Sequence, residues 1–337
     1  MTSEARLEWL KNRQTGIGGS DVAAILGLSK WKSPLEIYES KTETAEPKEE
    51  QSQAAYFGSL LEDVVAREFA TRTGMKIQRV NSQLVAGEGS WMIANIDRAI
   101  VQNDIAGRVY VYDEQRQAET GRQISTDAIL ECKTASSFMA DHWGPSQEAE
   151  IVSSKVVTEH KIPLYYETQV QWYLGVTGCH TCYVAVLLGG QDFRIYEVPR
   201  NDAVIKAIQE QCHAFWVNHV FAKVPPEPCT KEEVAKLFPS DNGDMLEADN
   251  AIAADIGELR NLAGQIKSLQ DQVDIVKDRV CAALGGATGF TIAGEKACTY
   301  KTQKRTTLDT TRLKKESSDV YQAYAKTSET RVFRLTA

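Results

Sequence analysis

Ile129-Leu130-Glu131-Cys132-Lys133 reads as an apolar strand with two charges set into it. Residues two apart in a strand share a face, so Glu131 and Lys133 project together while Cys132 faces the other way. Such charges are costly on an apolar strand unless they are paired or bound to a metal. A second apolar run, Trp91-Met92-Ile93-Ala94-Asn95-Ile96-Asp97-Arg98, reads as a strand over residues 92–100 with the charged Asp97 set near its end. Carboxylates from neighbouring strands are hard oxygen ligands suited to Mg²⁺. A lysine beside them can orient an attacking water and offset charge developing on a phosphate. That is the equipment of metal-assisted phosphodiester hydrolysis. Glu-x-Lys taken alone is more often an ion pair at a solvated sheet edge, so the reading depends on its surroundings.

Upstream, residues 56–74 are helical, with Leu60, Leu61, Val64, Val65 and Phe69 on one stripe and Gly74 as the stop. Glu62 and Asp63 sit within that helix. Residues 76–80 and 83–85 are strand-like. Val109-Tyr110-Val111-Tyr112 and the polar stretch 113–127 read as an inserted hairpin or loop. Downstream, a helix is predicted over 164–176, and strands at 183–188 and 193–198 flank the hairpin turn Gly189-Gly190-Gln191-Asp192. Helices, strands, helix, strands in that order predict an α/β fold with a central mixed β-sheet flanked by helices.

Near the start, Gly16-Ile17-Gly18-Gly19-Ser20-Asp21 precedes the apolar run Val22-Ala23-Ala24-Ile25-Leu26, with Ser20 as the N-cap candidate. Gly18 and Gly19 allow close backbone approach, and a helix start there favours an anion. Ser33-Pro34 opens another helix, and residues 42–53 read as a surface loop. Residues 201–222 are helical, and Val224-Pro225-Pro226-Glu227-Pro228 is the clearest linker. Beyond it, residues 246–284 form a long amphipathic helix able to pair with another helix, ended by Gly285-Gly286. A strand pair over 289–301 and a basic tail follow. The expected organisation is a domain over 1–223, a linker over 224–245 and a C-terminal, largely helical extension over 246–337.

Composition narrows the function classes. The 337 residues carry 38 Lys plus Arg against 46 Asp plus Glu, a net charge of −8. Hydrophobic residues make up 42% and charged residues 25%, which excludes disorder as the dominant state. No apolar run approaches the roughly 18 residues of a membrane span, and the N-terminal residues have no apolar stretch behind them, so no secretory signal is expected. Seven scattered cysteines suit reduced thiols in a cytoplasmic protein. The negative charge argues against a protein that coats nucleic acid. Residues 290–337, with 10 Lys or Arg against 5 Asp or Glu, are locally basic and could add a DNA-contacting surface.

These segments together resemble the PD-(D/E)XK nuclease superfamily, with a restriction-endonuclease-like core. More narrowly they resemble the YqaJ-type viral recombinases, the group that includes the lambda-type phage alkaline exonucleases. The resemblance runs from Trp9 to Pro199 and rests on the Ile17–Gly27 segment, the Asp97 and Glu131–Lys133 strands, and Tyr165-Tyr166-Glu167-Thr168-Gln169-Val170-Gln171-Trp172-Tyr173. Ile96 stands where the superfamily usually has proline. The resemblance implies Mg²⁺ at a two-metal site, with Mn²⁺ able to substitute. Asp97, Glu131 and the backbone carbonyl of Cys132 would be ligands, and Glu62 would act near the second metal, through water. Lys133 would position the nucleophilic water. Gln169 and Tyr173, four apart on one helix face, would contact the strand or metal waters, with Gln171 the competing glutamine. Arg13, seven residues before Ser20, would hold the 5′-terminal phosphate with it.

The implied activity is a 5′→3′ exonuclease on double-stranded DNA with a free 5′ end, leaving 3′ single strands for phage-type recombination. The implied partners are a single-strand annealing protein and further copies of the chain in a homo-oligomer such as a trimeric ring, in a bacterial or phage-infected cytoplasm. A structure-specific or restriction-like endonuclease, and an inactive DNA-binding or assembly protein, are the alternatives. Cys179-His180-Thr181-Cys182 has metal-site spacing but no second pair nearby. Cys229, Cys281 and Cys298 are too far apart to suggest an iron–sulfur cluster. His142 and Trp143 are as readily structural as DNA-contacting. No nucleotide-binding phosphate loop or Gly-x-Ser-x-Gly motif occurs.

Overall fold

Helix α1 (Gly19–Ile25) starts at the Gly-rich turn, but its N-cap is Gly18 and not Ser20. The Asp21 carboxylate accepts the Gly18 N–H at 3.1 Å, so the aspartate closes the helix start and Ser20 falls inside the first turn. The structure is a computed structural model describing residues 11–42, 52–87, 90–102, 107–155, 161–327 and 330–336. Most of the predicted 42–53 loop lies outside them. Helix α2 (Pro34–Thr42) has proline at its first position, and Ser33 and Glu36 cap each other's backbone N–H at 3.2 and 2.9 Å. Helix α3 (Gln53–Thr73) starts on Ser52 and ends at Gly74, whose φ of 71° requires a residue without Cβ strain.

Strands β1 (Lys76–Arg79), β2 (Leu84–Val85), β3 (Ile93–Ala94) and β4 (Arg98–Val101) follow. The strand predicted over 92–100 is therefore broken. Strand β3 pairs with β2, the chain changes partner over residues 95–97, and β4 pairs with β1. Asp97 sits at that break, at the mouth of β4 and outside any ladder. The insertion also differs from expectation: Val111 bridges Ile124, but between them lies helix α4 (Glu114–Thr120), capped by Asp113 and stopped by Gly121. Its Glu, Gln, Arg and Ala are good helix formers, and the cap decides the state.

Strand β5 (Ala128–Ala135), a 3₁₀ turn (Ser137–His142), helix α5 (Glu148–Val152), helix α6 (Leu164–Thr177), and strands β6 (Thr181–Leu188) and β7 (Asp192–Pro199) complete the core. The five-stranded sheet runs β1-β4-β5-β6-β7, with β5–β6 parallel and the other neighbours antiparallel, so it is mixed as predicted. One face packs Ile129, Val184 and Val186 with α6 residues Val170 and Leu174. The other packs Leu130 and Ala185 against Val65, Ala66 and Phe69 of α3. Helix α7 (Asp202–Phe215), running into a π-helical turn at Trp216–Phe221, covers the α6 side.

The chain divides at Cys229 and Thr230 into two units. The second contains α8 (Lys231–Leu237) inside the predicted linker, then α9 (Asn250–Leu284), strands β8 (Gly289–Ile292) and β9 (Glu295–Thr299), α10 (Thr310–Glu316) and α11 (Ser318–Tyr324). Asp249 caps α9, whose first residue lies four positions later than the pattern began. Among the described residues no helix is long and apolar enough to cross a membrane.

Candidate active site

Strand β4 pairs with β5 through Arg98↔Leu130 and Ala99↔Ile129 alone. Further along β5, the carboxylate of Asp97 takes over as acceptor, and the Cys132 N–H donates to its Oδ2 at 2.8 Å. The break between β3 and β4 thus lets a side chain continue where the ladder stops, and it brings Asp97 beside Glu131.

Glu131 is 4% exposed. Its Oε1 accepts from Lys133 Nζ at 2.6 Å and from Gln169 Nε2 at 2.7 Å. Lys133 also donates to Gln169 Oε1 at 3.0 Å, and Gln169 Nε2 donates to Tyr173 Oη at 3.0 Å. The Glu131 Oε2 atom is buried with no hydrogen-bond partner. A buried carboxylate oxygen left that way is expensive, and a cation beside it would satisfy it. Gln171 turns away, donating to Glu167 Oε1 and the Pro199 carbonyl and accepting from Asn201 N–H. Gln169 is the glutamine of the site.

The electrostatics agree with that deficit. Burial, then the neighbouring Glu131 and Glu62 charges, push the Asp97 carboxyl well above its ordinary value. Burial also raises Glu131, against the pull of Lys133. Burial alone would lower Lys133, but Glu131, Tyr166 and Asp97 outweigh it and raise it. The Lys133 ammonium lies 4.7 Å from the centre of the Tyr166 ring.

Glu62 is brought near but not into this hydrogen-bonded group. Arg98, 4% exposed, donates to Glu62 Oε1 at 2.6 Å and to Asp63 Oδ1, so both α3 acids share one guanidinium. Among the described residues no three His, Cys, Asp or Glu side chains form a ready-made metal cage. Two carboxylates and a backbone carbonyl are nonetheless the sparse oxygen set that Mg²⁺ accepts, since it keeps several waters and takes the rest from substrate phosphate.

Arg13 and Ser20 do meet. The guanidinium donates to Ser20 Oγ and stands 3.6 Å from Asp21 Oδ1. Asp21 is paired at 2.7 Å with Lys41, and their side chains are 4% and 3% exposed. A Cβ on Gly19 would lie 2.5 Å from Tyr173 Cε1, so the glycine lets α1 press onto α6. Tyr173 therefore touches both groups, its ring against Gly19 and its hydroxyl on Gln169.

Sequence reasoning did not assign Arg98, Lys41 or Tyr166. Arg98 had a signal, a cation in an apolar strand beside Asp97; Lys41 looked like an ordinary lysine in a last helical turn. Trp143 is buried against the Tyr166 and Tyr196 rings and serves the core. Cys179 and Cys182 are buried free thiols.

Residues 8–180 match the YqaJ-like viral recombinase domain. The chain is 33% identical over 336 residues to "Uncharacterized protein YqaJ" of Bacillus subtilis (strain 168), covering 98% of this chain and 93% of that protein. The chain therefore belongs to the YqaJ-like viral recombinase family. Among solved structures, it is similar to the alkaline exonuclease LHK-Exo of Laribacter hongkongensis (17% identity, TM-score 0.42, covering 68% of this chain and 99% of that one). A phage-related exonuclease from Haemophilus somnus 129PT gives 13% identity and a TM-score of 0.40, covering 62% and 96%.

Proposed function

We propose that the protein is a Mg²⁺-dependent nuclease that degrades double-stranded DNA 5′→3′ and leaves 3′ single strands for phage-type recombination. The observation that carries this reading is the unpartnered Glu131 Oε2, buried beside Asp97 and Lys133. Asp97, Glu131 and the Cys132 carbonyl would hold Mg²⁺, with Glu62 reaching a second ion through water and Mn²⁺ able to replace Mg²⁺. When bound, the ion supplies Lewis-acid stabilisation of charge on the scissile phosphate.

The chain's own residues do the rest. Lys133, fixed between Glu131 and Gln169, orients the attacking water and offsets negative charge as the bond breaks. Gln169, held by Tyr173, keeps the lysine and glutamate in register. Arg13 and Ser20 grip the 5′-terminal phosphate through charge-assisted hydrogen bonds and set the polarity of digestion. Family membership supports a role in recombination, with a single-strand annealing protein as partner, a homo-oligomer such as a ring for processivity, and the cytoplasm of a bacterial or phage-infected cell as location.

The test is digestion of linear duplex carrying a 5′ label, with Mg²⁺, with Mn²⁺ and with chelator. Mononucleotide release from the 5′ end, lost on chelation, is expected. Oligonucleotide products would transfer the site to an endonuclease, and no cleavage with either ion would leave a binding protein.

A further inference from the structure

Asp21 stands between two cations and holds them unequally. Its Oδ2 is 2.7 Å from Lys41 Nζ and accepts the Gly18 N–H at 3.1 Å, whereas its Oδ1 stays 3.6 Å from Arg13. Lys41 Nζ also donates to the Arg13 carbonyl at 2.7 Å, which ties the last turn of α2 to residue 13. A side-chain oxygen is needed at residue 21 because it closes the start of α1, and here that oxygen belongs to a charged carboxylate. Buried as it is, it needs a full counter-charge. Were Lys41 neutral, Arg13 would be the cation at hand. Closing the 3.6 Å gap would swing its planar fork onto Asp21 and away from Ser20.

We propose that Lys41 is a positioning residue, which by neutralising Asp21 keeps the Arg13 guanidinium on Ser20 and in place to take the 5′-terminal phosphate. With Lys41 on Asp21 Oδ2, the Arg13 guanidinium is left on Ser20 Oγ. The inference rests on the reading of Arg13 and Ser20 given above.

The experiment compares kcat/KM on linear duplex with a 5′-phosphate and with a 5′-hydroxyl, in Mg²⁺, for the full chain and five variants. Arg13→Ala should abolish the preference for phosphate. Lys41→Met should lower it by about tenfold, the scale of one charge-assisted contact, chiefly through KM for the phosphorylated end. Lys41→Arg should keep it. The double variant Asp21→Asn/Lys41→Met should regain most of it, because the introduced amide oxygen can still cap Gly18 while no buried charge remains to capture Arg13. A purely structural role for Lys41 predicts no such rescue. Asp21→Asn alone should retain the preference. Undiminished selectivity in Lys41→Met overturns the proposal, as does a folded double variant no better than Lys41→Met. Should Arg13→Ala leave selectivity unchanged, the 5′-phosphate reading itself fails and this inference with it; loss in Arg13→Ala without loss in Lys41→Met sinks this inference alone.

Discussion

Two buried groups of charges lie on either side of Tyr173, and they are built on opposite plans. Around Glu131 there is more negative than positive charge, one carboxylate oxygen has no partner, and burial holds Asp97 and Glu131 above their ordinary values. Around Asp21 the acid is satisfied. Burial would raise its carboxyl, but Lys41, Arg13 and the Gly18 N–H overcome that and hold it below its ordinary value. The first group holds more acid than its own partners satisfy. The second has its acid matched by Lys41 and the Gly18 N–H, with Arg13 close by. Burial of acids alone therefore does not leave an electrostatic deficit; the balance of partners decides it.

The largest expected effect is at Lys133. Lys133→Ala leaves Glu131 Oε1 with Gln169 but removes the cation that the proposed mechanism uses to orient water and offset charge. Cleavage in single-turnover assays should fall by about 10²–10⁴-fold, the usual worth of one positioned proton-handling or electrostatic group. DNA affinity at fixed salt should change little. Turnover like the wild type's would end the proposed mechanism.

Asp21→Asn and Asp97→Asn should move stability in opposite directions. Asp21→Asn strands Lys41 as a buried lone charge, and breaking a buried pair in this way costs about 3–5 kcal/mol. Asp21, depressed in the fold, contributes stability above its ordinary value of 3.8 that disappears as pH falls through its lower folded value. Asp97 is raised, so its burial penalty is absent below 3.8 and grows as pH rises towards its folded value. In chelator the wild type should lose stability over that rise, and Asp97→Asn should be the more stable protein at neutral pH. Denaturant midpoints from about pH 3 to about pH 8 measure both. An Asp97→Asn variant weaker than wild type at neutral pH without divalent ions would show that the carboxyls are not in electrostatic deficit.

How much of this was legible in the sequence follows from range. Glu131, Lys133 and the mixed sheet around them could be read because strand alternation is a local rule. Ser33 and Gly74 obeyed local capping rules too. The break at residues 95–97 could not be read, because an apolar run does not say that its two halves pair with different sheets. Ser20 is not the cap because the cap lies two residues earlier, at Gly18, where the Asp21 carboxylate accepts the backbone N–H. The 36-residue separation of Glu62 from Arg98 hides that partnership entirely. Lys41 lies 28 residues from Arg13, and no pattern connects them.

Gly19 sharpens the comparison because it sets the spacing between the two groups. Gly19→Ala would place Cβ 2.5 Å from Tyr173 Cε1 and 3.0 Å from Gln169 Cγ. The ring cannot simply rotate away, since its hydroxyl is bound to Gln169. Overpacking of this kind costs about 1–3 kcal/mol, read as a lower denaturant midpoint at an unchanged slope. Full stability in Gly19→Ala would mean that α1 and α6 slide apart without resistance, and that the two groups are independent.

The smallest effect should come from Tyr166, whose ring lies under the Lys133 ammonium. The face of an aromatic ring attracts a desolvated cation by about 0.5–2 kcal/mol. Glu131 and Gln169 already fix the ammonium from one side, so the ring's contribution is to hold it against rotation. Tyr166→Leu should therefore lower kcat by about threefold to tenfold with KM for DNA nearly unchanged, within the range of a single cation–π contact. Tyr166→Phe keeps the ring face and should retain activity close to wild type. If phenylalanine were as damaging as leucine, the phenol hydroxyl and not the ring would be the feature that matters, and the lysine would owe its position to the Glu131–Gln169 pair alone.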